Sequence, residues 1–331
     1  MIVLSNDDVA QLLSMRDALD VVERAMLAVS AGRTNLPLRS VIDVGTPNRM
    51  GIMPGAVLQG DDRLPQCFGI KLLSLFPGNP DAGYSSHEGA YVLFEGEHGS
   101  AVAIMNAGLL TALRTAAASG VATRALARED ASVLALIGAG EQAEHHLDAM
   151  AAVRPIREVR VAGRRAEKRD AFIEKAVEKY PGLDFVAADT VRDAVSGADI
   201  VCTVTSSAEP VLLGEMAEPG MHLNIAGASV PSSREVDEDL VARAALFVDY
   251  RASTFAQAGE VIAAMESGRI TREHVRAEIG EVLSGAHGGR GNATEITLYR
   301  SLGVAAQDLA AAWHCLEQAR ARGLGAEVSL G

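Results

Sequence analysis

The sequence predicts an α/β protein with a Rossmann-type, doubly wound parallel sheet that follows a mostly antiparallel sheet domain. Three observations predict it. An apolar run, Val133 to Ile137, ends in Gly138-Ala139-Gly140 and is followed by a helical pattern from Glu141 to Met150. Strand and helix patterns then alternate to about residue 250, which is how parallel α/β sheets are written. Before residue 105 the chain instead carries strand-like segments, the last two joined by a hairpin turn, the mark of an antiparallel sheet.

Taken in order, Met1 to Leu4 read as a short strand. Asn6, Asp7 and Asp8 suit a helix start, and Ala18, Val21, Val22, Ala25 and Val29 recur at helical spacing before Gly32 stops the pattern. Strands are expected over 39–44, 50–53, 68–75 and 89–94, with Gly96-Glu97-His98-Gly99 turning into a return strand over 100–105. An Ala-rich helix over 109–127 leads into the glycine turn. Beyond it, strands are predicted over 133–137, 158–162, 184–187, 200–205, 222–225 and 245–248. Helices are predicted over 141–152, 166–179 and 191–196. The tail from Leu302 to Arg322 is helical, and the Gly-rich stretch 285–291 reads as a mobile loop.

The 331 residues suffice for two domains with a large core. A formal net charge of −13 argues against a nucleic-acid surface, so any site for an anion must be built from local cations. Cys67, Cys202 and Cys315 show neither metal spacing nor a disulfide framework, which fits a reducing cytoplasm. The N-terminus lacks the basic and long apolar segments of a signal peptide, and no apolar run approaches the roughly 18 residues of a membrane span.

The glycine turn carries the first chemistry. Gly138 permits a tight turn, Gly140 lets a pyrophosphate approach the backbone, and Ala143 lets the helix lie close to the strand. The unpaired N–H groups at the helix start, from Ala139 to Gln142, are the expected phosphate donors. Gly163-Arg164-Arg165 closes the second strand of this unit. An acid there would bond a ribose 2′-hydroxyl, whereas arginines accommodate a 2′-phosphate, so NADP(H) is favoured and NAD(H) is the alternative.

Three cations lie in apolar surroundings: Arg39, Lys71 within Phe68-Gly69-Ile70-Lys71-Leu72-Leu73, and Arg114 on an otherwise nearly uncharged helix. Such a charge is costly unless paired. Lys71 is open to reading as a snorkelling edge residue, and Arg114 to pairing with a buried acid. His87 has no assigned role. Ser229 follows the strand 222–225, where ligands bind in such sheets, and it cannot act as a base without an activating partner.

Gly51-Ile52-Met53-Pro54, Lys71 with Pro77-Gly78-Asn79, Leu113-Arg114-Thr115-Ala116-Ala117, the glycine turn, Asn224-Ile225-Ala226-Gly227-Ala228, and Ser301-Leu302-Gly303 with Asp308 together resemble the ornithine cyclodeaminase/mu-crystallin family. The resemblance covers roughly residues 5 to 320. It implies that residues 1–115 plus 306–331 form a mostly antiparallel α+β domain in which the Rossmann-type, doubly wound domain, 116–305, is inserted, and that the antiparallel domain binds substrate and joins two subunits in a homodimer. It implies that Arg39, Lys71 and Arg114 hold a substrate carboxylate, and that Thr115 and Thr205 join Gly138, Ala139, Gly140, Glu141, Gln142, Arg164, Arg165 and Ser229 around the cofactor.

Cyclodeaminases of the family carry an aspartate where this chain has Ser229, followed by Pro-Gly-Lys. Here the run is Ser229-Val230-Pro231-Ser232-Ser233, which resembles the mu-crystallin branch of ketimine reductases. The expectation is therefore an NAD(P)H-dependent reductase of small imino acids, such as Δ1-pyrroline-2-carboxylate or Δ1-piperideine-2-carboxylate, with Lys71 and Ser229 as its catalytic residues. The rivals are an ammonia-releasing cyclodeaminase, an alanine dehydrogenase-like enzyme, and a non-enzymatic protein that binds nucleotide and a small ligand.

Overall fold

The computed structural model describes residues 1–329; the last two residues of the expected 306–331 segment lie outside the described residues. The strands in chain order are β1 (Ile2–Leu4), β2 (Thr34–Asn35), β3 (Ser40–Asp43), β4 (Arg49–Val57), β5 (Cys67–Leu75), β6 (His87–Glu95), β7 (Ala101–Asn106), β8 (Val133–Ile137), β9 (Glu158–Ala162), β10 (Asp184–Ala187), β11 (Ile200–Thr203), β12 (His222–Ile225), β13 (Ala245–Val248), β14 (Val275–Glu278), β15 (Thr297–Arg300) and β16 (Ala326–Glu327). The helices that matter below are α1 (Asn6–Leu12), α2 (Met15–Ser30), α3 (Ala107–Leu126), α4 (Glu141–Val153), α5 (Ala166–Lys179) and α6 (Ala305–Arg322).

The chain divides into two compact units. One comprises Met1–Arg114 with the segment that starts at Val304; the other is Thr115–Gly303. In the first, strands run in the order β16-β1-β7-β6-β5-β4-β2, with β3 added on β4. The pairings are antiparallel except β1 with β7. The stretch 6–30 forms two helices rather than one, because two Ser–Asp capping boxes compete for it. Ser5 caps α1 through Asp8, and Ser14 starts α2 through Asp17, each serine hydroxyl accepting a backbone N–H at 3.2 Å. Strand β4 is longer than its sequence suggests, running on through Pro54 and Gly55 to Val57.

Helix α6 packs on α2 and across β4, β5 and β6. Its approach is set by Gly55, where a Cβ would stand 2.5 Å from the Ala305 Cβ. A glycine in the strand lets the helix backbone come down onto the sheet. One helical turn beyond Ala305, Asp308 is thereby held against the sheet, fully buried.

The second unit has an all-parallel sheet in the order β10-β9-β8-β11-β12-β15-β13-β14. The order in which strands are added reverses between β8 and β11, the position where such sheets open a crevice at the strands' carboxyl ends. Its core is aliphatic, from Ala135, Ile137, Val201, Leu223, Ile225, Leu246 and Leu298 outward to flanking helices. The Gly-rich stretch 285–291 is pinned, against expectation. Arg290 donates to the carbonyls of Met221 at 3.1 Å and Leu126 at 2.6 Å, to that of Glu295, and to Thr297 Oγ1 at 2.8 Å. Among the described residues no helix is long and apolar enough to cross a membrane.

Candidate active site

Lys71 lies on β5, flanked by β4 and β6, and so is not an edge residue. Alternation along β5 sends Cys67, Gly69, Lys71 and Leu73 to the covered face, and Lys71 is 4% exposed. Its Nζ donates to both oxygens of Asp308 at 3.0 Å. Arg114, equally buried on α3, donates from Nε to Asp308 Oδ1 at 2.9 Å and from Nη1 to Gln307 Oε1 at 3.1 Å. Arg114 therefore has the buried acid that its apolar helix demanded, and Lys71 shares it. An apolar run with one acid, Ala305-Ala306-Gln307-Asp308-Leu309-Ala310, was the sequence signal for that partner.

Arg39 is half-buried, one residue before Ser40, which pairs with Ile52. That places it level with Met53, the cross-strand partner of Lys71. Burial, then the Arg114 charge, lower the Lys71 ammonium to about 7, against the opposing pull of Asp308; Arg39 adds to the lowering. Burial alone would raise the Asp308 carboxyl, yet Arg114 and Lys71 hold it below the ordinary carboxylate value. Two cationic side chains, Lys71 and Arg114, thus share one buried carboxylate, and Arg39 lies near enough to act on Lys71. His87 opens β6 and is exposed, with its Nδ1 2.8 Å from Ser86 Oγ.

The second unit supplies the nucleotide-type geometry. Gly138 sits at φ +119°, and a Cβ there would stand 2.8 Å from the Val204 carbonyl oxygen, so both backbone and space require glycine. Gly140 is the N-cap of α4, and open space faces its missing Cβ. Ala143, fully buried, fits the close helix–strand packing. Ala139 is half-buried and Glu141 exposed at the helix start; Gln142 Oε1 is buried without a hydrogen-bond partner among the described residues. Room beside Gly140 and the uncapped N–H donors at the start of α4 together fit a pyrophosphate. Gly163 brings β9's end to within 3.8 Å of Ala139, measured from the position its Cβ would take, and Arg164 and Arg165 follow it as exposed residues.

Thr205 and Ser229 follow β11 and β12 at their carboxyl ends, both half-buried, and Thr115 is half-buried on α3. Two buried groups that sequence reasoning missed organise this end of the sheet. Glu235 takes hydrogen bonds from Thr203, Thr205, Gly227 and Ala228, and Arg300 holds backbone carbonyls of Ile225 and Ala228 while pairing with Glu260. Glu235 was hidden because an acid ten residues past the end of β12, in a polar loop, looks solvated.

The glycine turn, the parallel sheet and its switch point define a dinucleotide-binding α/β protein, and the first unit adds a buried cationic cluster suited to a small acid. Residues 1–323 match the ornithine cyclodeaminase/mu-crystallin family, and the chain belongs to it. Its sequence is 35% identical to the ketimine reductase mu-crystallin of Mus musculus over 83% of this chain and 82% of that one. Its fold superposes with a TM-score of 0.94 on the Thermococcus litoralis Δ1-pyrroline-2-carboxylate reductase in complex with NADH and L-proline, at 33% identity and 99% and 100% coverage. An archaeal alanine dehydrogenase dimer with bound NAD gives a TM-score of 0.91 at 31% identity, covering 100% and 99%.

Proposed function

We propose that this chain is an NAD(P)H-dependent reductase of small imino acids, acting on cyclic ketimine carboxylates such as Δ1-pyrroline-2-carboxylate or Δ1-piperideine-2-carboxylate. The observation that carries the reading is the buried Lys71–Asp308–Arg114 cluster with its lysine near neutrality. The reductases among its relatives support it.

The reduced nicotinamide, when bound, supplies a hydride to the imine carbon. The chain's own residues do the rest. Arg39 and Arg114 bind the substrate carboxylate, with Asp308 fixing the guanidinium of Arg114 so that little orientation is lost on binding. Lys71 contacts the same carboxylate or holds a proton on Nζ for the substrate nitrogen. A group with a pKa near the working pH is suited to give up a proton and be recharged. Ser229 orients substrate or nicotinamide by hydrogen bonding. Thr115, Thr205 and Gly138 through Gln142 hold the dinucleotide, and Arg164 with Arg165 receives a 2′-phosphate, so NADP(H) is preferred over NAD(H).

Ser229 separates this reading from a cyclodeaminase. Expelling an amine needs an acid or base beside the leaving group, and a lone hydroxyl titrates far from neutrality. A homodimer through the first unit's sheet is part of the proposal. Val41, Ile42 and Phe68 are exposed there, and Phe68 stacks on Phe94 with ring centroids 4.8 Å apart. A reducing cytoplasm suits Cys67, Cys202 and Cys315, all free thiols.

The test is a panel of cyclic and acyclic imino acids assayed with NADPH and NADH, beside ornithine with NAD. Turnover of a cyclic ketimine carboxylate supports the reading. Ammonia release from ornithine without net cofactor turnover overturns it, and reduction only of a keto acid plus ammonia points to an amino-acid dehydrogenase.

A further inference from the structure

Glu235 has no exposed surface, and none of the steps above uses it. Its Oε1 accepts from the Thr205 N–H and the Thr205 hydroxyl, both at 2.7 Å. Its Oε2 accepts from Thr203 Oγ1 at 3.0 Å and from the N–H groups of Gly227 at 2.6 Å and Ala228 at 3.3 Å. One carboxylate therefore ties the end of β11 to the first residues after β12. The carbonyl side of the same segment is fixed separately: Arg300 donates to the oxygens of Ile225 at 3.1 Å and Ala228 at 2.6 Å.

Gly227 gives an independent view of how tight this packing is. A Cβ there would stand 2.2 Å from the Thr205 carbonyl oxygen and 2.5 Å from Glu235 Oε1. The loop thus leaves β12, presses its glycine onto the end of β11, carries Ser229 two residues later, and returns so that Glu235 fastens its own beginning.

We propose that Glu235 is a positioning residue for the nicotinamide end of the cofactor site, setting the Thr205 and 227–229 backbone against which that ring and Ser229 are placed. The inference rests on the cofactor reading above. All five partners of Glu235 are donors, so the position needs a group that only accepts. A glutamine of the same size would turn an N–H toward at least one N–H or hydroxyl that is already committed. The pyrophosphate turn at Gly138–Gly140 belongs to other strands and is not fastened by this carboxylate.

The experiment measures dissociation constants of wild-type protein and of the Glu235→Gln, Glu235→Asp and Thr203→Val variants for ADP-ribose, NADH and NADPH, with Tm and the separate kcat and KM values. ADP-ribose shares the pyrophosphate and lacks the nicotinamide. In Glu235→Gln the affinity for the reduced dinucleotides should fall roughly 10- to 100-fold, the scale of one lost charge-assisted hydrogen bond. ADP-ribose binding should stay near wild type, and kcat should fall more than KM rises. Glu235→Asp, still an acceptor only, should recover part of the loss. Thr203→Val, which removes one donor to Glu235 at a buried residue with no assigned cofactor contact, should move the same ratio in the same direction by a smaller factor, and it carries the test if Glu235→Gln fails to fold. An unchanged ratio of ADP-ribose to dinucleotide affinity in these variants, or equal losses for all ligands, overturns the proposal. Wild-type protein that binds no nicotinamide dinucleotide overturns the cofactor reading instead, and the proposal with it.

Discussion

Replacing Asp308 with asparagine separates the charge of this residue from its shape. Lys71 and Arg114 both donate to its carboxylate, at 3.0 and 2.9 Å. Two unit charges 3.0 Å apart attract by about 5.5 kcal/mol at an effective dielectric near 20. At about 1.36 kcal/mol per pKa unit, that sets a ceiling near 4 units on what Asp308 does for the Lys71 ammonium. Water entry and the dipole of the asparagine return much of it, leaving an expected fall of about 1–2 units. The sign follows from the partners: Asp308 raises the Lys71 pKa, while burial and Arg114 lower it, so losing the acid leaves only the lowering effects. If protonated Lys71 serves the substrate nitrogen, activity falls as pH rises through its pKa, which lies at about 7 in the native protein. In Asp308→Asn that descending limb should move to lower pH. A fall of about 1.5 units takes Lys71 from half to roughly 3% protonated at neutrality, a loss of about 15-fold in kcat/KM there, recovered in part at acid pH. The assay is the pH profile of kcat/KM for a cyclic ketimine carboxylate. A limb that stays in place, or moves upward, refutes the proton-donor role of Lys71.

Arg114→Leu should lose about 2–5 kcal/mol of transition-state binding, read as kcat/KM, while dinucleotide affinity measured by fluorescence is retained. The same change strips Asp308 of one partner and should lower Tm, since breaking a buried pair costs about 3–5 kcal/mol. Ser229→Ala should cost a hydrogen bond, about 0.5–1.5 kcal/mol or at most about tenfold in kcat/KM; a loss of several orders would give Ser229 an acid–base role. Arg164→Ala and Arg165→Ala should reduce NADPH efficiency by about 10- to 150-fold with NADH efficiency nearly constant, because each removes a charge-assisted contact to a 2′-phosphate alone. The NADPH preference should shrink with added salt, since both arginines are exposed, and a wild-type preference for NADH refutes the assignment.

What the sequence made legible follows the reach of its signals. The strands 133–137, 158–162, 184–187, 222–225 and 245–248 appear in the structure with those bounds, because each is a short run that is apolar throughout or alternates apolar with polar residues. Strands β14 and β15 escaped notice. Val275-Arg276-Ala277-Glu278 alternates charge into an edge strand, and Thr297-Leu298-Tyr299-Arg300 ends in a charged residue whose burial depends on Glu260, far away in sequence. Periodicity also joined α1 to α2, since apolar spacing runs through Leu12 and Leu13 and only the Ser14–Asp17 box breaks it. At the site, Lys71 and Arg114 stood out because a cation among aliphatic residues demands a reason. Their shared acid lies 194 residues beyond Arg114 in the chain, a pairing no local pattern encodes.

The two anion sites proposed here use different physics, for reasons that trace to the chain's net charge of −13. A pyrophosphate can be held by backbone N–H groups, which carry no net charge, need no counter-ion and are aimed by the fold. Gly138 and Gly140 only have to clear space for it. A small carboxylate offers fewer oxygens and must be fixed at one end so that its neighbouring carbon is presented reproducibly, which calls for directional cations. Burying those cations alone would neutralise or expel them. Asp308 resolves the conflict: it makes burial of Lys71 and Arg114 tolerable and holds both in one orientation, which the proposed carboxylate site requires. Because the acid is internal and fully buried, it cannot be displaced into solvent when substrate arrives. The same residue that pairs two buried cations of the first unit thereby raises the proton affinity of Lys71 against burial and the Arg114 charge, so in the proposed mechanism its structural and catalytic effects are coupled.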